Sequence, residues 1–200
     1  VTTRSFLILS FLCLFGCGKG KDSSQSSEAP ANSPAPDSAV SASTDTLHSR
    51  LYPGKPFPAV QVLDLQENKV SAASLVAGRP SLVLFIDPDC ESCREFLAVW
   101  DKHANELPAG LNVVGITKVD PQYAKQYKED SGFPFPLYSD EEGIFARDYR
   151  IKIYPTVVGT YPDGAVAFLG KAVTPEFTPK KAAALLSEAI AARKQREGGG

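Results

Sequence analysis

The feature that most constrains this chain is a short stretch in its middle. Leu82, Val83, Leu84, Phe85 and Ile86 form an apolar run of strand length, stopped by Asp87, Pro88 and Asp89. An amphipathic segment then opens at once with Cys90 and Cys93, spaced C-x-x-C. A strand therefore delivers two thiols to the start of a helix. The free backbone N–H groups there favour negative charge and so stabilise a thiolate. The spacing puts Cys90 on the exposed first turn and Cys93 one turn inward, as a redox dithiol.

The N-terminus reads as a targeting segment and is set aside before any fold reasoning. Arg4 precedes an apolar run over residues 6–15, about half the roughly twenty residues that span a bilayer. Leu14, Phe15, Gly16 and Cys17 follow and resemble a bacterial lipobox, which implies a signal peptide over 1–16 and a lipid on Cys17. Residues 17–50 are rich in Ser, Ala, Pro and Asp and lack aromatics, so they read as a disordered tether. Such a tether reaches about 30 Å. Of the four cysteines, Cys13 and Cys17 belong to this leader, which leaves Cys90 and Cys93 for the domain. Export would place them outside the reducing cytosol, on the periplasmic side of a bacterial membrane. A net charge of −2 with no basic helix face gives no reason to expect nucleic acid.

A single domain is expected over 51–194, with a flexible tail over 195–200. The alternation at 60–65 predicts a half-buried strand, 71–77 a short helix, and 82–86 a central strand apolar on both faces. A helix is predicted over 91–106 and a buried strand over 111–117, with a parallel crossover between strands. Asp120 and Pro121 cap a further helix that runs to about residue 131. Residues 133–140 read as extended and 141–149 as a short helix. Strands 156–160 and 166–169 flank the turn Tyr161, Pro162, Asp163, Gly164 as a hairpin. Thr178 and Pro179 open a last helix with Ala182, Leu185, Leu186 and Ile190 on one stripe.

This order of elements, the C-x-x-C at a helix start, and Tyr154, Pro155 and Thr156 before a hairpin resemble the thioredoxin-like fold. More narrowly, the chain resembles the membrane-tethered thiol-disulfide oxidoreductases of the redoxin, AhpC/TSA and TlpA-like superfamily, with Gly54, Lys55, Pro56 and Phe57 similar to that group's opening motif. The resemblance implies an α/β fold in which a central mixed β-sheet is flanked by helices, with an N-terminal β extension. It implies that Pro155 is cis and lies beside the dithiol, where the backbone pairs with a client protein. It also implies a monomer that acts on disulfide-containing clients, is re-reduced by a membrane electron donor and needs no cofactor beyond a Cys90–Cys93 disulfide. Three positions depart from the pattern: Asp89 stands where most relatives have Trp, Leu84 replaces a buried Asp, and Phe96 replaces a Glu that assists proton transfer in some members. The nearest acid to that last position is Glu95.

Within this reading Cys90 is the nucleophile that attacks a client disulfide and Cys93 resolves the mixed disulfide. A purely structural disulfide across two intervening residues would stabilise little, because loop-closure stabilisation grows with loop size. Zinc is short of ligands, with only His48 and His103 available. Asp87, Asp89, Glu91 and Glu95 are the acids that would tune the pair; the first three crowd Cys90 and are expected to raise its pKa, which favours a protein that donates electrons. Two other functions stay open. The stretch 135–143 is similar to one common in peroxiredoxins, which suggests a thiol peroxidase, although Asp87 stands three residues before Cys90 where those enzymes keep a Thr. A non-enzymatic copper or thiol binding module is the third class.

Overall fold

The computed structural model describes residues 51–171 and 173–199. The expected signal peptide, Cys17 and the tether lie outside the described residues.

The described residues enter the sheet with β1 (Gln61–Leu63) and β2 (Lys69–Ser71), joined by a turn in which Asp64 accepts hydrogen bonds from the backbone of Gln66 and Asn68. A short helix α1 (Ala72–Val76) leads to β3 (Ser81–Ile86), α2 (Glu91–Lys102) and, after a 3₁₀ turn, β4 (Asn112–Thr117). Then follow α3 (Pro121–Ser131), β5 (Leu137–Ser139), α4 (Ile144–Arg147), the hairpin β6 (Thr156–Thr160) and β7 (Val166–Lys171), and α5 (Pro179–Gly198). The seven strands form one mixed sheet in the order β2-β1-β5-β4-β3-β6-β7. β3 is parallel to β4 and antiparallel to β6, and the β1–β2 pair is the N-terminal extension at one edge.

All six residues of β3 are buried, and the pleat divides them between two cores. Leu82, Leu84 and Ile86 pack with Phe96 and Trp100 of α2 and Leu186 of α5. Val83 and Phe85 pack on the other face with Val114, Ile116, Phe57 and Phe145. Each of these large side chains stabilises the fold by about 1.5–3 kcal/mol through burial. Because both faces are covered, the end of β3 is fixed, and so is the loop that follows it.

Four details differ from the sequence expectation. The segment 133–140 contains a true strand, β5, parallel to β4 and bridged to β1. The helix expected over 141–149 is a single turn: Asp140 accepts hydrogen bonds from the backbone N–H of Ile144 and Phe145 at its start, and Arg150, with a φ of 60°, breaks the helical path just beyond its end. On α5 the buried face is Pro179, Ala182, Ala183 and Leu186, and Leu185 sits roughly a third of a turn away, exposed. Residues 195–198, expected in a flexible tail, continue α5. There Arg193 bonds Glu197 at 2.8 Å and Asp163 of the hairpin turn at 2.7 Å, and its guanidinium lies 4.6 Å from the Tyr161 ring centroid.

Trp100 ties α2 to the segment before α5. It is fully buried, and its indole N–H donates to the Phe177 carbonyl at 2.8 Å. Trp100→Phe keeps an aromatic ring but removes the N–H edge, which leaves a small void and that carbonyl unpaired, so urea denaturation should show a loss of at least about 1–3 kcal/mol. An unchanged midpoint would contradict this bond's role.

Candidate active site

Asp87, Pro88 and Asp89 turn the chain from β3 into α2, and Cys90 is the helix N-cap. Its Sγ accepts the backbone N–H of Cys93 at 3.3 Å, taking the place that a Ser or Asp oxygen usually occupies at such a position. Cys93 is fully buried one turn inside and its Sγ accepts the backbone N–H of Asp87 at 3.5 Å. Both cysteines are free thiols in this structure. Across the cleft, the Tyr154–Pro155 peptide is cis and the Tyr154 carbonyl lies 3.8 Å from Cys90 Sγ. The dithiol and Pro155 thus come together from segments more than sixty positions apart.

The two thiols differ strongly in acidity. Burial pushes Cys90 up, but its hydrogen bonds with Ser92, the Cys93 thiol and the Cys93 backbone outweigh burial and leave it below the ordinary thiol value, with Asp87 opposing. Burial, with the bond to Cys90 adding to it, pushes Cys93 up to about 12. Asp87 therefore raises Cys90 as expected, but the net direction is downward because the hydrogen bonds outweigh it together with burial. Asp87 is buried and forms an ion pair with Lys118 at 2.7 Å, and exposed Asp89 accepts a hydrogen bond from the Tyr123 hydroxyl at 2.9 Å. Glu91 and Glu95 stand exposed on α2. Of the four acids, the structure brings Asp87 and Asp89 into the network around the thiols.

Sequence reasoning missed three side chains of this site: Lys118, Tyr123 and Ser92. Ser92 had a local signal, its place inside C-x-x-C, and the Tyr154 carbonyl follows from the motif that holds Pro155. Lys118 and Tyr123 arrive from the end of β4 and the start of α3, and nothing in their own neighbourhood marks them.

The sequence profile of the AhpC/TSA family matches residues 53–169, which include the dithiol and Pro155. The chain belongs to this family. A Mycobacterium tuberculosis protein described as a peroxiredoxin is 34% identical over 101 residues, 48% of this chain and 62% of that protein. The chain thus spans about three fifths of the length of that curated relative. Among solved structures, a secreted M. tuberculosis disulfide oxidoreductase homologous to E. coli DsbE superposes with a TM-score of 0.52 at 19% identity, covering 65% of this chain and 96% of that one. The peroxidoxin BcpB of the same organism superposes at 0.56 and 18%, covering 71% and 98%. These likenesses establish a thioredoxin-like fold for this AhpC/TSA member.

The asymmetry of the pair has a direct readout. A lowered thiol pKa means more thiolate at a given pH, so Cys90 reactivity should appear at lower pH than that of an ordinary cysteine. Iodoacetamide at pH 7 should label Cys90 in the reduced protein and spare Cys93, as followed by peptide mass spectrometry. Ser92→Ala should move the Cys90 midpoint upward. Equal labelling of the two thiols would contradict the geometry.

Proposed function

We propose that this protein is an extracytoplasmic thiol-disulfide oxidoreductase that reduces or exchanges disulfides in client proteins. The observation that carries this reading is the pairing of a half-exposed thiol at a helix N-cap with a buried thiol one turn away, opposite the cis Tyr154–Pro155 peptide. The Cys90 thiolate attacks one sulfur of a client disulfide, forming a Cys90–client bond and releasing the other client sulfur as a thiolate that takes up a proton. Cys93 then gives up its proton and attacks Cys90 Sγ. The Cys90–Cys93 disulfide forms, the second client thiolate leaves, and the client has gained two electrons and two protons. No cofactor or metal enters this cycle. A membrane electron donor would return the pair to the dithiol.

The backbone at Tyr154 and Pro155 is the docking edge for the client's extended chain. Beside it Ile153 is half exposed and offers an apolar contact. Residues 1–16 and the lipobox ending at Cys17 support export and a lipid anchor, with 17–50 as tether and the domain acting as a monomer. The secreted neighbour described above is consistent with that compartment. The lowered Cys90 pKa removes the electrostatic argument for an electron donor made from the acids alone.

A peroxidase is the second reading, favoured by the peroxiredoxin relative. In it the Cys90 thiolate would attack one peroxide oxygen, the O–O bond would break with the other oxygen leaving as water or an alcohol, and Cys93 would then displace water from the Cys90 sulfenic acid to close the disulfide. The residue three before Cys90 is the ion-paired Asp87, which offers no hydroxyl to hold a peroxide.

Cys93→Ser, treated with oxidised glutathione, should retain glutathione on Cys90, whereas the unaltered protein should release it as its own disulfide closes. Rapid peroxide consumption coupled to dithiothreitol, without accumulation of that adduct, would overturn the exchange reading in favour of a peroxidase.

A further inference from the structure

Lys118 is the residue around the dithiol that neither the motif nor the helix cap explains. It follows β4, its side chain is half exposed, and its ammonium meets Asp87 Oδ2 at 2.7 Å. It also lies 5.8 Å from the centroid of the Tyr154 ring, whose own carbonyl faces Cys90. Lys118 therefore touches both walls of the cleft, the loop that carries the thiols and the loop that carries Pro155.

Asp87 needs such a partner. Its backbone serves both thiols: its carbonyl accepts the Cys90 N–H at 3.1 Å, and its N–H donates to Cys93 Sγ. Its carboxylate is buried, with the Asp89 backbone N–H 3.2 Å from Oδ1 and Lys118 on Oδ2. The charged or titratable groups around it are Lys118 from the β4–α3 segment, Tyr123 from α3 through Asp89, Asp89 and the two thiols from its own loop and helix, and Tyr154 from the opposite wall. Lys118 is the cation among them. The negative charge of Asp87 opposes ionisation of both Cys90 and Cys93, and Lys118 feels the charge of Cys90 as well as that of Asp87.

We propose that Lys118 is a positioning residue for the dithiol, which pins and neutralises the Asp87 carboxylate so that Cys90 can react as a thiolate. This inference rests on the redox reading of the pair and identifies what makes it workable with an acid three residues upstream. The ammonium offsets part of the Asp87 charge that the thiols face. Without Lys118, Asp87 would set a bare charge beside the nucleophile and lose the contact that fixes its loop against Tyr154.

The test is the pH dependence of Cys90 alkylation in the reduced protein, which needs no client. Lys118→Gln should raise the midpoint by about one unit and so cut alkylation below the midpoint by about tenfold. Lys118→Arg keeps the charge and should restore the original midpoint. Asp87→Asn should lower it, and the double variant Lys118→Gln with Asp87→Asn should return close to the unaltered protein. An unmoved midpoint in Lys118→Gln, or one that Lys118→Arg fails to restore, overturns the proposal. Glutathione exchange by the unaltered protein tests the redox reading separately: if exchange is absent while the midpoints move as stated, that reading fails and the role of Lys118 on the thiols stands.

Discussion

The site depends on β3 being buried on both faces. An apolar run in which alternate residues serve two separate cores cannot slip by one position without exchanging the cores, so its register against β4 and β6 is strongly specified. The same register fixes where the strand ends. Asp87, Pro88 and Asp89 then have a set starting point, and Cys90 reaches the helix N-cap opposite Tyr154 and Pro155. Strand β6, which is antiparallel to β3, starts at this same edge and brings the cis peptide with it. Two thiols and a backbone edge from distant parts of the chain therefore meet because of packing well beneath them.

Once placed, the pair is differentiated by solvation and by single hydrogen bonds. Cys90 sits at a helix N-cap, and its hydrogen bonds with the Ser92 hydroxyl, the Cys93 thiol and the Cys93 backbone N–H together outweigh the cost of its partial burial. Cys93 lies three residues on, in the same cluster as Phe96 and Trp100, and burial holds its proton firmly. In the proposed cycle, a mixed disulfide on Cys90 would have a resolving sulfur beside it that does not compete for the first attack. The carboxylate of Asp87, which alone would work against this division, is taken up by Lys118.

Much of this was legible in the sequence, for identifiable reasons. The uninterrupted apolar run at 82–86, the C-x-x-C after it, the Asp120–Pro121 helix start and the Gly-containing hairpin turn are local signals, and each is matched by an element of the structure. The ion pair of Asp87 with Lys118 and the Tyr123 bond to Asp89 join segments about thirty residues apart, and no local pattern encodes such pairings. The expected upward push on Cys90 remains from Asp87 but is outweighed by hydrogen bonds with Ser92 and Cys93. Leu185 misled for a related reason: an apolar residue on a plausible stripe stays outside once Ala182 and Ala183 bring α5 close to the sheet. In the last turns of α5, Arg193 meets Asp163 across the fold, a pairing that no local pattern encodes.

Membership of the AhpC/TSA family and a thioredoxin-like fold are compatible with both disulfide exchange and peroxide reduction, so the functional claim rests on the two thiols acting as one couple. The most direct measurement is their redox equilibrium in glutathione buffers, with each cysteine followed by alkylation and mass spectrometry. The account predicts that Cys90 and Cys93 oxidise together into one intramolecular disulfide, in a single two-electron transition of about 30 mV per tenfold change in the thiol-disulfide ratio. Independent oxidation of the two cysteines, or a Cys93 that stays a thiol while Cys90 is oxidised, would contradict it.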